Sequence, residues 1–370
     1  MSTRPTADRH RTSVAAATPA APSPRGKHFA VVGAGMAGIA CARTLAQAGH
    51  RVTVFESAAS AGGRMASERT PFGRFDSGAQ YFTVRDPRFV RALETAPTIC
   101  KRWSANAVRV LDPHGRVAEA ARPSLESHWV ALPGMDSLVA HWAAPLGDSV
   151  ITGTQVTQIE PDPLDLKRWQ VRTQSTGSGE QEQHVYSSFD AVLLGVPPTP
   201  ARTLLAAGKL SATLERQLVP VHVAPCWTLM IAFPQAMQPT LSHLGPQWNA
   251  ARSTHHRVAW LARESSKPGR DTIERWTLQA NAAWSQEHLR DAPSRIKAKL
   301  LRAFSEITGI HAVPSHAQTR CWPEAKTETP LGKSHLWDAK ARIGAAGDWC
   351  IGHRVEDAFL SGLALALAVA

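Results

Sequence analysis

The sequence predicts an α/β fold in two parts, and three observations carry that expectation. From His28 to Glu56 an apolar run, a glycine-rich turn, a helical pattern, a second apolar run and an acid follow one another. Further on, CWTLMIAF, HRVAWLARE and ERWTLQAN, each with a Trp, read as strands of antiparallel character. At the end, RIGAAGDWC and VEDAFLSGLALALAVA repeat strand, turn and helix, which returns the chain to its first domain. The expected fold is a Rossmann-like dinucleotide-binding domain made of separated segments, joined to a mixed-sheet α+β domain.

Composition narrows the function classes. At 370 residues the chain exceeds one typical core, and 43% hydrophobic with 19% charged residues is an ordinary globular profile. Residues 1–27 are rich in Ala, Pro, Ser and Thr and carry Arg4, Arg9, Arg11, Arg25 and Lys27 against Asp8 alone. They read as a disordered, solvated extension without the apolar core of a secretory signal. The formal net charge of +11 suits an anionic small molecule. No Lys/Arg stripe or helix-turn-helix pattern suggests nucleic acid, and no run approaches the roughly 20 apolar residues of a membrane helix. Cys41, Cys100, Cys226, Cys321 and Cys350 are odd in number and scattered. That excludes a disulfide framework or metal site and favours a reducing, cytoplasmic setting.

The first elements follow from local chemistry. HFAVV (28–32) is a strand that runs into Gly33-Ala34-Gly35-Met36-Ala37-Gly38 and then a helix closed by Gly49. Gly33 permits the tight turn, Gly35 lets the backbone approach a pyrophosphate, and Gly38 lets helix and strand pack closely. The helix start, with Met36 and Ala37, offers unpaired N–H groups to phosphate oxygens. HRVTVFE then ends on Glu56, placed where an acid accepts hydrogen bonds from a ribose diol.

Next comes Gly62-Gly63-Arg64, a second backbone approach with a guanidinium available to a phosphate. This element resembles the flavoproteins built like glutathione reductase and the amine oxidases, which implies FAD rather than NAD. In amine-oxidase-like proteins a stretch similar to DSGAQYF (76–82) passes near the flavin, which adds Gln80 to the cofactor candidates. Residues 131–147 read as a turn at Pro133-Gly134 and an amphipathic helix. SVITGTQVTQIEPD, RWQVRTQ and SSFDAVLLGVPP follow as a β-rich meander ending at Pro197-Pro198. SRIKAKLLRAFSEIT reads as a helix. In FAD proteins of this class a late Gly-Asp, here Gly347-Asp348, contacts the ribityl chain. The following helix, entered at Val355 and Glu356, aims its N-terminus at the flavin ring.

VVGAGMAGIACARTLAQAGHRVTVFE, GGRMAS, DSGAQYFTVRD, WLARESSKPGRD, AAWS and GDWCIGHRVEDAFLSG together resemble the bacterial renalase-like branch of the amine-oxidase-type FAD oxidoreductases. The resemblance spans roughly residues 28–370. It implies an amine-oxidase-like two-domain fold with the FAD-binding domain at 28–86, 129–198 and 321–370 and the substrate domain at 87–128 and 199–320. It also implies oxidation of 1,2-dihydro-NAD(P) isomers to NAD(P)+ by hydride transfer to flavin N5, with O2 reoxidising the flavin to give H2O2. The partners expected are a dinucleotide substrate and O2, bound by a monomer or weak homo-oligomer with non-covalent FAD.

Amine oxidases often steer a neutral amine with two tyrosines, one near the start of the terminal helix. Here Tyr81 and Tyr186 are the only tyrosines, and Arg354 stands about where that one would be. A fixed cation there disfavours a cationic amine and welcomes phosphates. Trp260 and Trp349, with Trp276 and Trp284, are candidate walls for a flat ring; the His255-His256 pair reads as a loop. Two departures qualify the resemblance: Gln279 replaces an expected His, and Asp357 replaces an expected Gly, putting a carboxylate near the flavin's pyrimidine edge. An amine oxidase or desaturase-like enzyme on the same fold is the alternative, and a flavin-binding protein with little catalysis is a further one.

Overall fold

The computed structural model describes residues 26–104, 108–119, 126–177, 182–234 and 248–370. The extension expected at 1–27 therefore lies outside the described residues, apart from Gly26 and Lys27. A six-stranded sheet forms the first domain, in the order Leu336–Asp338, Ile343–Ala345, Ala191–Leu194, His28–Val32, Arg51–Phe55, Val150–Ile151. All neighbours run parallel except the first pair. Alternation along His28–Val32 explains the layering. Phe29 and Val31 point into a core shared with the helices Met36–Gln47 and Val355–Val369. Ala30 and Val32 point into a second core on the other face. That face is covered by the meander, three antiparallel strands at Thr154–Asp162, Asp165–Ser175 and Gln183–Phe189.

The second domain is a seven-stranded mixed sheet, here called the roof. From one edge its first four strands are His316–Thr329, His222–Phe233, Glu274–Ala280 and Val258–Arg263, all antiparallel neighbours. One roof face packs Leu229, Ile231, Trp276 and Leu278 onto Ile296, Leu300 and Phe304 of the helix Pro293–Thr308. The other faces the first domain. The strand His316–Thr329 runs unbroken through residue 321, so the domain boundary lies at its end rather than at 321. Ladder hydrogen bonds to His222–Phe233 hold its whole length in the roof. Likewise Cys100–Trp103 pairs with His128–Ala131, which ties the expected segment 87–128 to the residues after it.

Two glycines fix how tightly the first domain closes. A Cβ on Gly38 would lie 1.9 Å from the Gly33 carbonyl oxygen, and one on Gly362 would lie 2.0 Å from that of Ala37. The terminal helix thus touches the first helix backbone to backbone. Gly362→Val is expected to destabilise the fold by about 1–3 kcal/mol through overpacking. A lower urea midpoint with an unchanged slope would confirm it.

Candidate functional site

The glycine-rich turn stands at the C-terminal ends of the parallel strands, where open α/β sheets bind ligands. Gly33 has φ +98°, a left-handed conformation that favours glycine. Gly35 differs: a Cβ there would meet nothing closer than 3.8 Å. Its lack of a side chain leaves room for something outside the chain. The helix Met36–Gln47 has no side-chain cap and no acid in its first turn, so the N–H groups at Met36, Ala37 and Gly38 remain for an anion. Glu56 is buried beside the turn, accepting from the Ala34 amide at 2.6 Å and the Ala58 amide at 2.8 Å. Gly62 donates to the Ala34 carbonyl at 3.0 Å, which lays Gly62-Gly63 alongside Gly35.

Asp348 closes the cradle from the late strand. It is buried and pairs with Arg64 through both guanidinium Nη atoms, while Thr327 Oγ1 donates to Oδ2 at 2.9 Å. Arg64, expected on a phosphate, is thus held on Asp348. A carboxylate has about four acceptor positions, so Asp348 retains one for a hydroxyl. Gly347 is set by its amide donating to Ser361 Oγ at 3.0 Å.

The entrance of the terminal helix is more ordered than its three charges suggested. Asp357 Oδ2 accepts from the amides of His353 (3.0 Å) and Arg354 (2.9 Å), so the carboxylate caps the helix instead of standing free near a flavin. Only this half of a capping box exists, because a guanidinium accepts nothing. Buried Glu356 accepts from the amides of Arg85 and Asp86, both at 2.7 Å, and so clasps the end of the 76–86 stretch. The Arg354 guanidinium is half-buried and makes no side-chain hydrogen bond or close ion pair among the described residues, although its charge acts on Glu126. Trp349 is no ligand wall: it is fully buried in the core, its indole donating to the Val196 carbonyl at 3.1 Å.

Between cradle and roof runs Asp76–Phe82. Thr228 Oγ1 (3.0 Å) and Trp322 Nε1 (2.8 Å) donate to the Ser77 carbonyl, and Gln279 Nε2 donates to that of Gly78 at 2.7 Å. Gln279, the departure from an expected His, therefore staples the segment to the roof. Gln80 is an internal brace, its amide donating to the Gly78 carbonyl at 3.0 Å. Tyr81 stacks on His128 at 3.9 Å and lies 5.6 Å from the Trp260 ring. Trp276 and Trp284 belong to the core on the far face of the roof. His255 is buried on Glu306 at 3.0 Å, a structural contact.

Sequence reasoning missed the charge cluster behind this segment. Lys267 Nζ contacts Asp76 Oδ2 (2.8 Å), Glu264 Oε1 (2.9 Å) and Gln80 Oε1 (3.2 Å), and Arg270 Nη2 contacts Asp76 Oδ2 (2.8 Å). All four charged side chains are at most 1% exposed. Burial opposes ionisation of Asp76, but Lys267 and Arg270 outweigh it and hold the carboxyl at about 2. Burial pushes Glu264 above the usual carboxylate range. The available signal was the charge-dense Glu264–Arg270 segment between two apolar strands, which needed charged partners from elsewhere.

Residues 31–95 match the model of an NAD(P)-binding Rossmann-like domain, and residues 122–370 match that of the flavin containing amine oxidoreductases. The chain belongs to the flavin containing amine oxidoreductase family. As a member it is an FAD-dependent oxidoreductase, and the open Gly35 and uncapped helix suit that cofactor. The cyclohexylamine oxidase of Brevibacterium oxydans IH-35A superposes with a TM-score of 0.68 at 13% identity, over 94% of this chain and 99% of that one. A putative protoporphyrinogen oxidase from Exiguobacterium sp. 255-15 gives 0.68 at 13% identity, over 93% and 98%. These share the fold. Sequence likeness to curated relatives is local. A putative L-amino-acid oxidase of Bacillus subtilis (strain 168) is 50% identical over 46 residues, 12% of this chain and 10% of its own length. The L-amino-acid oxidase of Vipera ammodytes ammodytes is 56% identical over 43 residues, 12% and 9%. This amine oxidoreductase thus spans about a tenth of those relatives' lengths.

Removing Asp76 would leave Glu264 alone to balance Lys267 and Arg270, one buried cation in excess, so Asp76→Asn is expected to cost about 3–5 kcal/mol at pH 7. A carboxyl depressed to about 2 stabilises above its unfolded value and loses that contribution as pH falls toward 2. The gap between wild type and variant should therefore narrow below about pH 4. Urea unfolding across pH 3–7 measures it.

Proposed function

We propose that this chain oxidises dihydronicotinamide dinucleotides that carry the hydride at the wrong ring position, 1,2-dihydro-NAD(P), to NAD(P)+. One observation carries the choice over simple amines. The two tyrosines stand on opposite faces of the six-stranded sheet and form no cage, while the helix entrance presents the Arg354 guanidinium without a close carboxylate partner among the described residues. Tyr81 packs against the core on the helix-covered face of the six-stranded sheet, and Tyr186 against the core on the opposite face, its ring 4.9 Å from Phe55. Arg354 is left to attract a phosphate and to repel an ammonium.

Bound FAD would supply the hydride acceptor and a route for two electrons to O2, giving H2O2. The chain itself orients the ring and excludes water. No proton need leave the substrate carbon, so no catalytic base is required. Cys350 is fully buried and its thiol is pushed up to about 12, which supports non-covalent FAD. The partners are then a dinucleotide and O2.

The Arg354 guanidinium also suits a second substrate class, an amine bearing a carboxylate, as the names of the short-range relatives suggest. Anaerobic mixing separates the readings. The FAD-loaded protein should bleach rapidly with 1,2-dihydro-NAD(P) and remain yellow with alkylamines and L-amino acids. Bleaching by either amine class alone would replace the proposal. Arg354→Ala should raise the dinucleotide concentration needed for half-maximal reduction by about ten- to a hundredfold while retaining FAD. Unchanged reduction kinetics would remove Arg354 from the site.

A further inference from the structure

We infer that the indole N–H of Trp260 is a substrate-positioning donor, reserved for the carbonyl oxygen of a ring carboxamide. Trp260 is 8% exposed, and its Nε1 is closed off from solvent without a hydrogen-bond partner. Four other buried indoles are satisfied: Trp103 donates to Ser266, Trp142 to Thr95, Trp276 to Glu274 and Trp349 to Val196. A buried donor left unmade is costly and rare, and calls for an explanation.

The position of Trp260 supplies one. In the roof ladder Trp260 stands opposite Gln279, and Gln279 stands opposite Thr228. Directly opposed residues share a face. Gln279 and Thr228 use that face to reach the Gly78 and Ser77 carbonyls, so Trp260 continues the same row on the side of the cofactor cradle. Tyr81, from the stapled segment, packs on its ring. A bridging water needs two to four polar partners, and Trp260 belongs to an apolar cluster with Phe82, Met135, Ala250 and Ala262. Because Tyr81 already lies against the Trp260 ring, the missing acceptor is brought by a ligand that reaches the indole N–H edge from the cradle side. An ammonium only donates, so it gains nothing there. A ring carboxamide supplies the oxygen.

This inference rests on the dinucleotide reading, and the test separates the two. Binding of NAD+ to the oxidised, FAD-loaded protein would be followed by perturbation of the flavin spectrum. It would be compared with a dinucleotide whose pyridinium ring lacks the carboxamide. Wild type should prefer NAD+ by about three- to tenfold. Trp260→Phe, which keeps the wall and removes the donor, should lose that preference by weakening NAD+ alone. Equal weakening of both ligands, or of neither, would overturn the role. If the variant does not fold, equal affinity of wild type for the two ligands overturns it as well. Reduction by 1,2-dihydro-NAD(P) without any carboxamide preference would remove the inference and leave the proposed function standing. Neither binding nor reduction would remove both.

Discussion

Only a hydrogen fits on the Cα of Gly78, because a Cβ would lie 2.0 Å from the Arg64 carbonyl oxygen. That contact presses the segment Asp76–Phe82 onto the loop that follows the second glycine pair, and the rest of the site depends on it. With Gly78 seated, the carbonyls of Ser77 and Gly78 face the roof and take three side-chain donors. The two domains are joined through backbone atoms, whose positions do not vary with rotamer. Cradle and roof are thereby held at one separation, which is what a thin planar cofactor and a planar substrate require.

Charge is distributed to the same end. Inside, Asp76 and Glu264 balance Lys267 and Arg270, and Arg64 balances Asp348. Asp357 and Glu356 are each taken up by two backbone amides. These amides orient the two carboxylates without cancelling their charge, so the helix entrance carries Arg354 and Arg85 beside Glu356 and Asp357. The Asp357 carboxylate is fixed in place by the helix it begins.

The parts of the site visible in the sequence were those whose chemistry is local. The turn at Gly33–Gly38, the strand before it and Glu56 after it lie within one short stretch, and spacing alone orders them. The late strand and terminal helix carried equally local signals. What stayed hidden has partners far along the chain. Lys267 meets Asp76 across 191 positions, Arg64 meets Asp348 across 284, and Glu356 reaches back 271 to Arg85. Asp357 was misread for a different reason: its capping role is local, but the family pattern directed attention to the ligand instead. Trp349 shows the limit of counting aromatics, since an indole one residue past the Arg64-paired Asp348 can point wholly into the core.

The contact of Gly362 with Ala37 has a consequence for folding. The central parallel strands come from residues 28–32, 191–194 and 343–345, and the first helix needs the terminal helix as its lid. A domain with such distant contacts has a high contact order, and its closure is slow compared with that of the local meander at 154–189. A cofactor held in the cradle bridges segments far apart in the chain and so favours the closed domain over the open one.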